Sequence, residues 1–360
     1  MKNTEEEFTT LAIKIGVTVA VFLLNTGWAI KAIELCQESL ILLNNGDLSA
    51  DSPVAKSFHE RIRTTIKRAW LTLWNSPGIE EYFRKPSLQP KEGKKFYELV
   101  INLMKTAEKG QREAECYRRL GVLLWSSGEY DKGKEYFDLA LAIYIEIGDR
   151  HGEATSYANL GQVFQSLGKY DKAREYLEKA LTIQIEIGDR HGEATSYFSL
   201  GTLFISLGKY DKAREYLEKA LAIQIEIGDR NGEATSYGIL GTLFISLNKY
   251  DGARQYLEKA LAIQIEIGDG NGKAISYHSL GKVFQSLDKY DKAQEYLEKA
   301  LAIQIEIGDR HGEATSYGIL GTLFISLNKY DGARQYLEKA LAIQIEIGDR
   351  NGEAISYHSL

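Results

Sequence analysis

The forty residues HGEATSYANLGQVFQSLGKYDKAREYLEKALTIQIEIGDR at 151–190 return with few changes from 191, 231, 271 and 311, a strict 40-residue period without insertions. A looser copy fills 111–150, and a stub, NGEAISYHSL, occupies 351–360. A chain built this way folds as one small unit many times over, each unit offering complementary faces to the next.

Within a unit, Ala154, Tyr157, Leu160, Gly161, Phe164 and Leu167 recur at spacings of three and four, which predicts one buried face of a first helix. A second apolar series runs Tyr170, Ala173, Tyr176, Leu177, Ala180, Leu181, Ile183, Ile187. Its tail, LTIQIEI, alternates like a strand. It also continues a helical pattern, and Glu175 and Lys179 form a favourable i,i+4 pair, so a second helix of about 18 residues is expected. The residue closing the first helix is Gly168, Gly208, Asn248, Asp288 and Asn328 in successive units. These three residue types best tolerate the left-handed backbone of a helix C-cap. Gly188 is expected to end the second helix and Asp189 to cap the next first helix, while Gly192 sits unfavourably in its first turn.

Two helices cannot bury these faces alone, so the fold class is all-α, a solenoid of stacked helix-turn-helix units. Tyr157, Leu160, Gly161, Phe164, Ala173, Leu177 and Ala180 match, in order and spacing, the pattern of tetratricopeptide repeats. The chain resembles that family over 111–350, with the small residues marking close helix crossings. Ile185 stands where the family carries a proline, and the period exceeds the usual 34. Both features are similar to the arrays of Pins-type G-protein signalling modulators. The resemblance implies a right-handed α-solenoid, a protein or peptide partner, no cofactor, and first helices lining a concave surface.

The rest of the chain is organised around this array. Residues 1–50 are expected to be a helical N-terminal region, with 9–44 a degenerate repeat: Ala20, Leu23 and Ala32 fall where the array places Gly161, Phe164 and Ala173. The uncharged run at 15–30 is only 16 residues between Lys14 and Lys31, short for a membrane span and better read as a buried helix. Residues 51–110 form a basic, proline-containing connector with all 4 prolines and, between Lys56 and Lys95, ten Lys/Arg against four Glu. Most of that charge reads as a solvated face, and no nucleic-acid-reading motif accompanies it. Then come a first repeat at 111–150, five near-identical repeats at 151–350, and a truncated repeat at 351–360. The stub leaves Ile355, Tyr357 and Leu360 without a second helix, so 1–360 is expected to be a fragment, and the uncapped end offers a route to self-association. Near-identical units also favour pairing out of register.

Little here points to chemistry. The 6 histidines follow the period rather than a ligand spacing, and the 2 cysteines, Cys36 and Cys116, form neither a metal motif nor a disulfide framework, which favours a reducing, cytoplasmic setting. Gly201 to Lys209 has the wrong spacing for a phosphate loop. The tyrosines read as packing. No enzyme is expected.

The informative signal is where the copies differ. Caps and outward charges aside, they disagree mainly at 155, 158, 159, 162, 165 and equivalents, one face of the first helix. The candidate groove is therefore Arg118, Arg119 and Trp125 in unit one; Asn159, Gln162 and Gln165 in unit two; and Phe198, Thr202 and Ile205 in unit three. Unit four adds Ile239, Thr242 and Ile245, unit five His278, Lys282 and Gln285, and unit six Ile319, Thr322 and Ile325. Apolar patches broken by amides suit an extended segment or an amphipathic helix. The expected function is a non-enzymatic adaptor holding a partner's peptide. Its rival is the sensing or docking arm of a larger signalling protein, whose NTPase or protease-like effector lies beyond residue 360.

Overall fold

The computed structural model describes residues 110–359, which belong to the unit Gly110–Leu360, the second of two into which the chain divides. The expectations for residues 1–109, and for Leu360, lie outside the described residues.

Unit one is α1 (Gln111–Ser126) and α2 (Tyr130–Glu146); unit two is α3 (Arg150–Ser166) and α4 (Tyr170–Ile187). Unit three is α5 (Arg190–Ser206) and α6 (Tyr210–Ile227); unit four is α7 (Arg230–Ser246) and α8 (Tyr250–Glu266). Unit five is α9 (Gly270–Ser286) and α10 (Tyr290–Ile307); unit six is α11 (Arg310–Ser326) and α12 (Tyr330–Ile347); α13 covers Arg350–Ser359. The described residues contain no strand, and each helix packs on the one before and the one after. The LTIQIEI tail is helical, as length and charge pairing predict.

Each junction is set by a named residue. Gly168 and Gly208 have φ of 69° and 67°, and Asn248, Asp288 and Asn328 adopt 55°, 56° and 57°, so the first helices close on left-handed caps in every copy. Gly188 closes α4 at φ 70°, and Asp189 accepts a 2.9 Å hydrogen bond from the Gly192 amide. Gly192, unfavourable by propensity, has a steric reason: a Cβ there would collide with the Asp189 carboxylate and lie 2.8 Å from Gln184 Nε2.

The core sits between units. Phe164, Ala173 and Leu177 of unit two cluster with Leu200 and Leu203 of unit three, and Phe204, Ala213, Leu217 and Leu221 do the same with Leu240 and Leu243 of unit four. Burial is thus shared across every interface, which is why a single helix pair would not hold. The paired helices cross closely at the small residues: a Cβ on Gly161 would sit 2.7 Å from Leu177 Cγ and 3.3 Å from the Ala173 carbonyl. The tyrosines pack as expected, Tyr176 lying 5.9 Å from Tyr157 and 5.1 Å from Phe164 between ring centroids, with Lys179 over both tyrosine rings.

One assignment is corrected. Ile187, predicted on the buried face of the second helix, is 40% exposed, and Ile185 beside it is 52% exposed. The buried place in that last turn goes to Gln184, which bonds Ser196 of the next first helix at 2.6 Å. The partnership holds whichever way the Gln184 amide is turned; turned, its nitrogen also donates to the carbonyls of Ala180 and Gly192. The same buried pair recurs as Ser236–Gln224, Ser276–Gln264, Ser316–Gln304 and Ser356–Gln344. At the first interface Tyr144 takes the glutamine's place, its hydroxyl donates to Glu115, and the buried Ser156 hydroxyl has no partner. Ser196→Ala, which removes the buried hydrogen bond to Gln184, is therefore expected to cost about 0.5–1.5 kcal/mol in urea unfolding. Ser156→Ala, by the same measurement of urea unfolding, is expected to be neutral or stabilising.

Candidate functional site

The first helices run close to one another. Backbone approaches occur between α1 and α3, α3 and α5, α7 and α9, and α11 and α13, and none of comparable extent joins successive second helices.

The divergent residues are arranged in register along these helices, with a graded exposure. Thr242, Lys282, Thr322 and Ile325 are exposed. Asn159, Gln162, Gln165, Thr202, His278 and Gln285 are half-buried. Phe198, Ile205 and Ile239 are half-buried too, packed against the cluster holding Leu240 and Leu243, and Ile245 and Ile319 lean on the next cluster. The face is therefore less open than its sequence pattern suggests. Its isoleucines and Phe198 serve the layer interfaces as well as the surface, and Ser199 beside them is buried.

Unit one departs furthest from expectation. Arg118 and Arg119 are half-buried and committed to one carboxylate: Arg118 Nε donates to Glu115 at 2.6 Å and Arg119 Nε at 2.8 Å. Burial works against charge on Glu115, but the bonds and charges of the two arginines outweigh it and hold the carboxyl below its ordinary value. Neither arginine is offered as a free cation. Trp125 is half-buried and reaches the neighbouring helix, its indole N–H donating to Ser166 Oγ at 3.0 Å.

The threonines present less polarity than their formula implies. Thr242 Oγ1 donates to the Gly238 carbonyl at 3.1 Å, Thr322 Oγ1 to Ile319 and Thr202 Oγ1 to Ser199, both at 2.9 Å. With the hydroxyls turned into their own helix, the methyl groups remain for a ligand. Gly238 and Gly318, one turn before these threonines, leave open space: a Cβ at either would meet nothing within 4 Å.

Two polar atoms on this face have no partner, Asn159 Nδ2 and His278 Nδ1, both buried at the atom. Burial first, and then the charge of Lys282 one turn on, bring His278 down to about 4, so the ring is neutral at pH 7. Unit five is unusual at its rim as well. In units two, three, four and six an arginine joins the start of the first helix to the end of the second, as Arg190 does with Glu193 and Glu226. Gly270 and Lys273 replace that arginine and its nearer glutamate in unit five.

Among the described residues no group of three or more His, Cys, Asp or Glu side chains is gathered as a metal site would require, and no helix is long and apolar enough to cross a membrane. Cys116 is a buried free thiol.

No curated protein matches the sequence significantly. Among solved structures, BtubC from P. vanneervenii is 24% identical, with a TM-score of 0.55 over 61% of this chain and 91% of its own. Aspartyl phosphate phosphatase F from Bacillus subtilis is 14% identical, with a TM-score of 0.59 over 92% of this chain and 94% of its own. A signal transduction ATPase with numerous domains from Pyrococcus horikoshii, bearing a tetratricopeptide repeat sensor, is 18% identical, with a TM-score of 0.59 over 92% of this chain and 51% of its own. These identities speak for the fold alone. The tetratricopeptide repeat profile matches residues 112–186, 153–226, 192–266 and 272–346, more than half of the sequence, and the chain belongs to the tetratricopeptide repeat family.

Proposed function

We propose that the protein is a cytoplasmic, non-enzymatic scaffold that holds a peptide segment of a partner along the inner face of its first helices. One observation carries the reading: copies otherwise nearly the same diverge along one face of their first helices. That face offers methyl groups, half-exposed isoleucines and unpartnered amide or imidazole atoms, a mixture suited to side-chain anchors and a peptide backbone.

The test uses peptides selected on the full chain from a random display library. Thr242→Glu with Thr322→Glu, on the first helices, is expected to weaken the selected peptides by about tenfold or more. Gln255→Glu with Gln335→Glu, on exposed positions of the second helices, is expected to leave them unchanged. The reverse pattern would move the site off this face.

A second reading is favoured by the likeness to the ATPase that carries a tetratricopeptide repeat sensor. In it, the array is the docking or sensing arm of a larger signalling protein with an NTPase or protease-like effector elsewhere. The sequence of the full-length transcript decides between them.

A further inference from the structure

We infer that Asn271 is a site of spontaneous covalent change, losing its side-chain amide to the neighbouring Gly272 nitrogen, while the matching Asn231 is held back. The inference is independent of the peptide-scaffold reading. An asparagine followed by glycine is the pair in which this reaction meets least hindrance, because glycine has no Cβ to block the approach. The Gly272 nitrogen attacks Asn271 Cγ, the Cγ–Nδ2 bond breaks, and ammonia leaves with the backbone amide proton. Water then opens the five-membered imide at either carbonyl, giving aspartate or isoaspartate. Asn231 and Asn271 are both exposed, and both stand in the first turn of a first helix.

The folded state controls the first step. Gly232 and Gly272 each donate their N–H at 2.9 Å to the capping aspartate, Asp229 or Asp269, and helical backbone keeps that nitrogen away from the side chain. The turn must open before the new bond can form, so ease of local opening sets the rate. Three features separate the two turns. Arg230 ties the start of α7 to Glu233 at 2.6 Å and to Glu266 at the end of α8, whereas Gly270 has no side chain to do this for α9. Gly270 also adds a second glycine to the turn, and glycine is costly to hold in a helix. Lys273 replaces the glutamate, so α9 alone among the described helices has no acid in its first turn to complement the helix dipole. Exposed ion pairs are screened by solvent, so the glycine and the dipole weigh more than the lost bridges.

The product bears on the next unit. In units two and three this place holds a histidine, with His151 Nδ1 3.3 Å from Asp189 Oδ2 and His191 Nδ1 3.9 Å from Asp229 Oδ2. The repeat therefore sets a carboxylate formed at 271 toward Asp309, the cap of α11. Like charges there, or the extra backbone methylene of isoaspartate, loosen the junction of units five and six.

The experiment ages the full chain at neutral pH, in native buffer and in concentrated urea, and follows amide-to-acid conversion by peptide mass mapping after digestion at acid pH. A third pair, Asn351 and Gly352, falls in a separate peptide. In native buffer Asn271 is expected to convert about tenfold faster than Asn231. In urea, where no turn protects either, the two rates are expected to agree. Gly270→Arg with Lys273→Glu restores the clasp, and a Cβ at 270 meets only Ile307 Cγ2 at 3.7 Å, so the arginine fits. That variant is expected to slow Asn271 to the rate of Asn231, and Arg230→Gly to quicken Asn231. Equal native rates would overturn the inference, as would a difference that persists in urea or survives the restored clasp. Amide exchange at the start of α11 is expected to quicken in the aged chain, and unchanged exchange there would overturn the loosening.

Discussion

Gly241→Leu is expected to unfold the units around it, at a cost of more than about 3 kcal/mol, while Gly238→Leu on the same helix is expected to be neutral or stabilising by up to about 1 kcal/mol. The two glycines differ only in what stands opposite. A Cβ on Gly241 would lie 2.6 Å from Leu257 Cγ and 3.4 Å from the Ala253 carbonyl, where α7 crosses α8. Leu257 is itself fully packed in the inter-unit core, so the crossing cannot open without separating unit four from unit five. At Gly238 a side chain enters solvent, and the helix gains the propensity that glycine lacks. Hydrogen exchange read unit by unit is the appropriate probe, because repeat arrays lose stability locally as well as globally. Equal effects at the two positions would mean that the helix crossing is not where the structure places it.

Acid is expected to destabilise the protein through His278. Its folded value of about 4 lies below the ordinary 6.5, so between those values the unfolded chain binds more protons than the folded one. Stability is therefore complete above pH 6.5 and is lost as pH falls toward 4, by up to about 3 kcal/mol. Phe198 fills the equivalent place in unit three, so His278→Phe is expected to fold and to lose this part of the pH dependence. The comparison is between the two proteins' unfolding free energies at pH 7 and pH 4.5, which cancels the carboxylates they share. Identical slopes would show that the imidazole is solvated in the folded state.

Much of the fold is legible in the sequence because the period repeats each signal. Five first helices end on Gly, Asn or Asp, and all five residues have positive φ. Gly161 and Ala173 read as a close crossing and are one. What periodicity could not reveal is which residue of a mixed turn faces inward. In QIEI the apolar choice would bury an isoleucine, yet Gln184 is buried, bonded to the serine hydroxyl of the next layer, and Ile185 is left outside. The same limit applies to the groove. Sequence divergence marks a face, but not that Arg118 and Arg119 are tied to Glu115, nor that Ile205 is shared with the adjoining layer. Those outcomes depend on the neighbour across the interface, which a single-helix pattern does not contain.

The most direct test of a binding trough on the inner face is amide hydrogen exchange of the full chain with and without a selected peptide. The account predicts protection concentrated in α7, α9 and α11, with α8, α10 and α12 unchanged. Protection confined to the second helices, along the exposed row that includes Ile185 and Ile225, would contradict it.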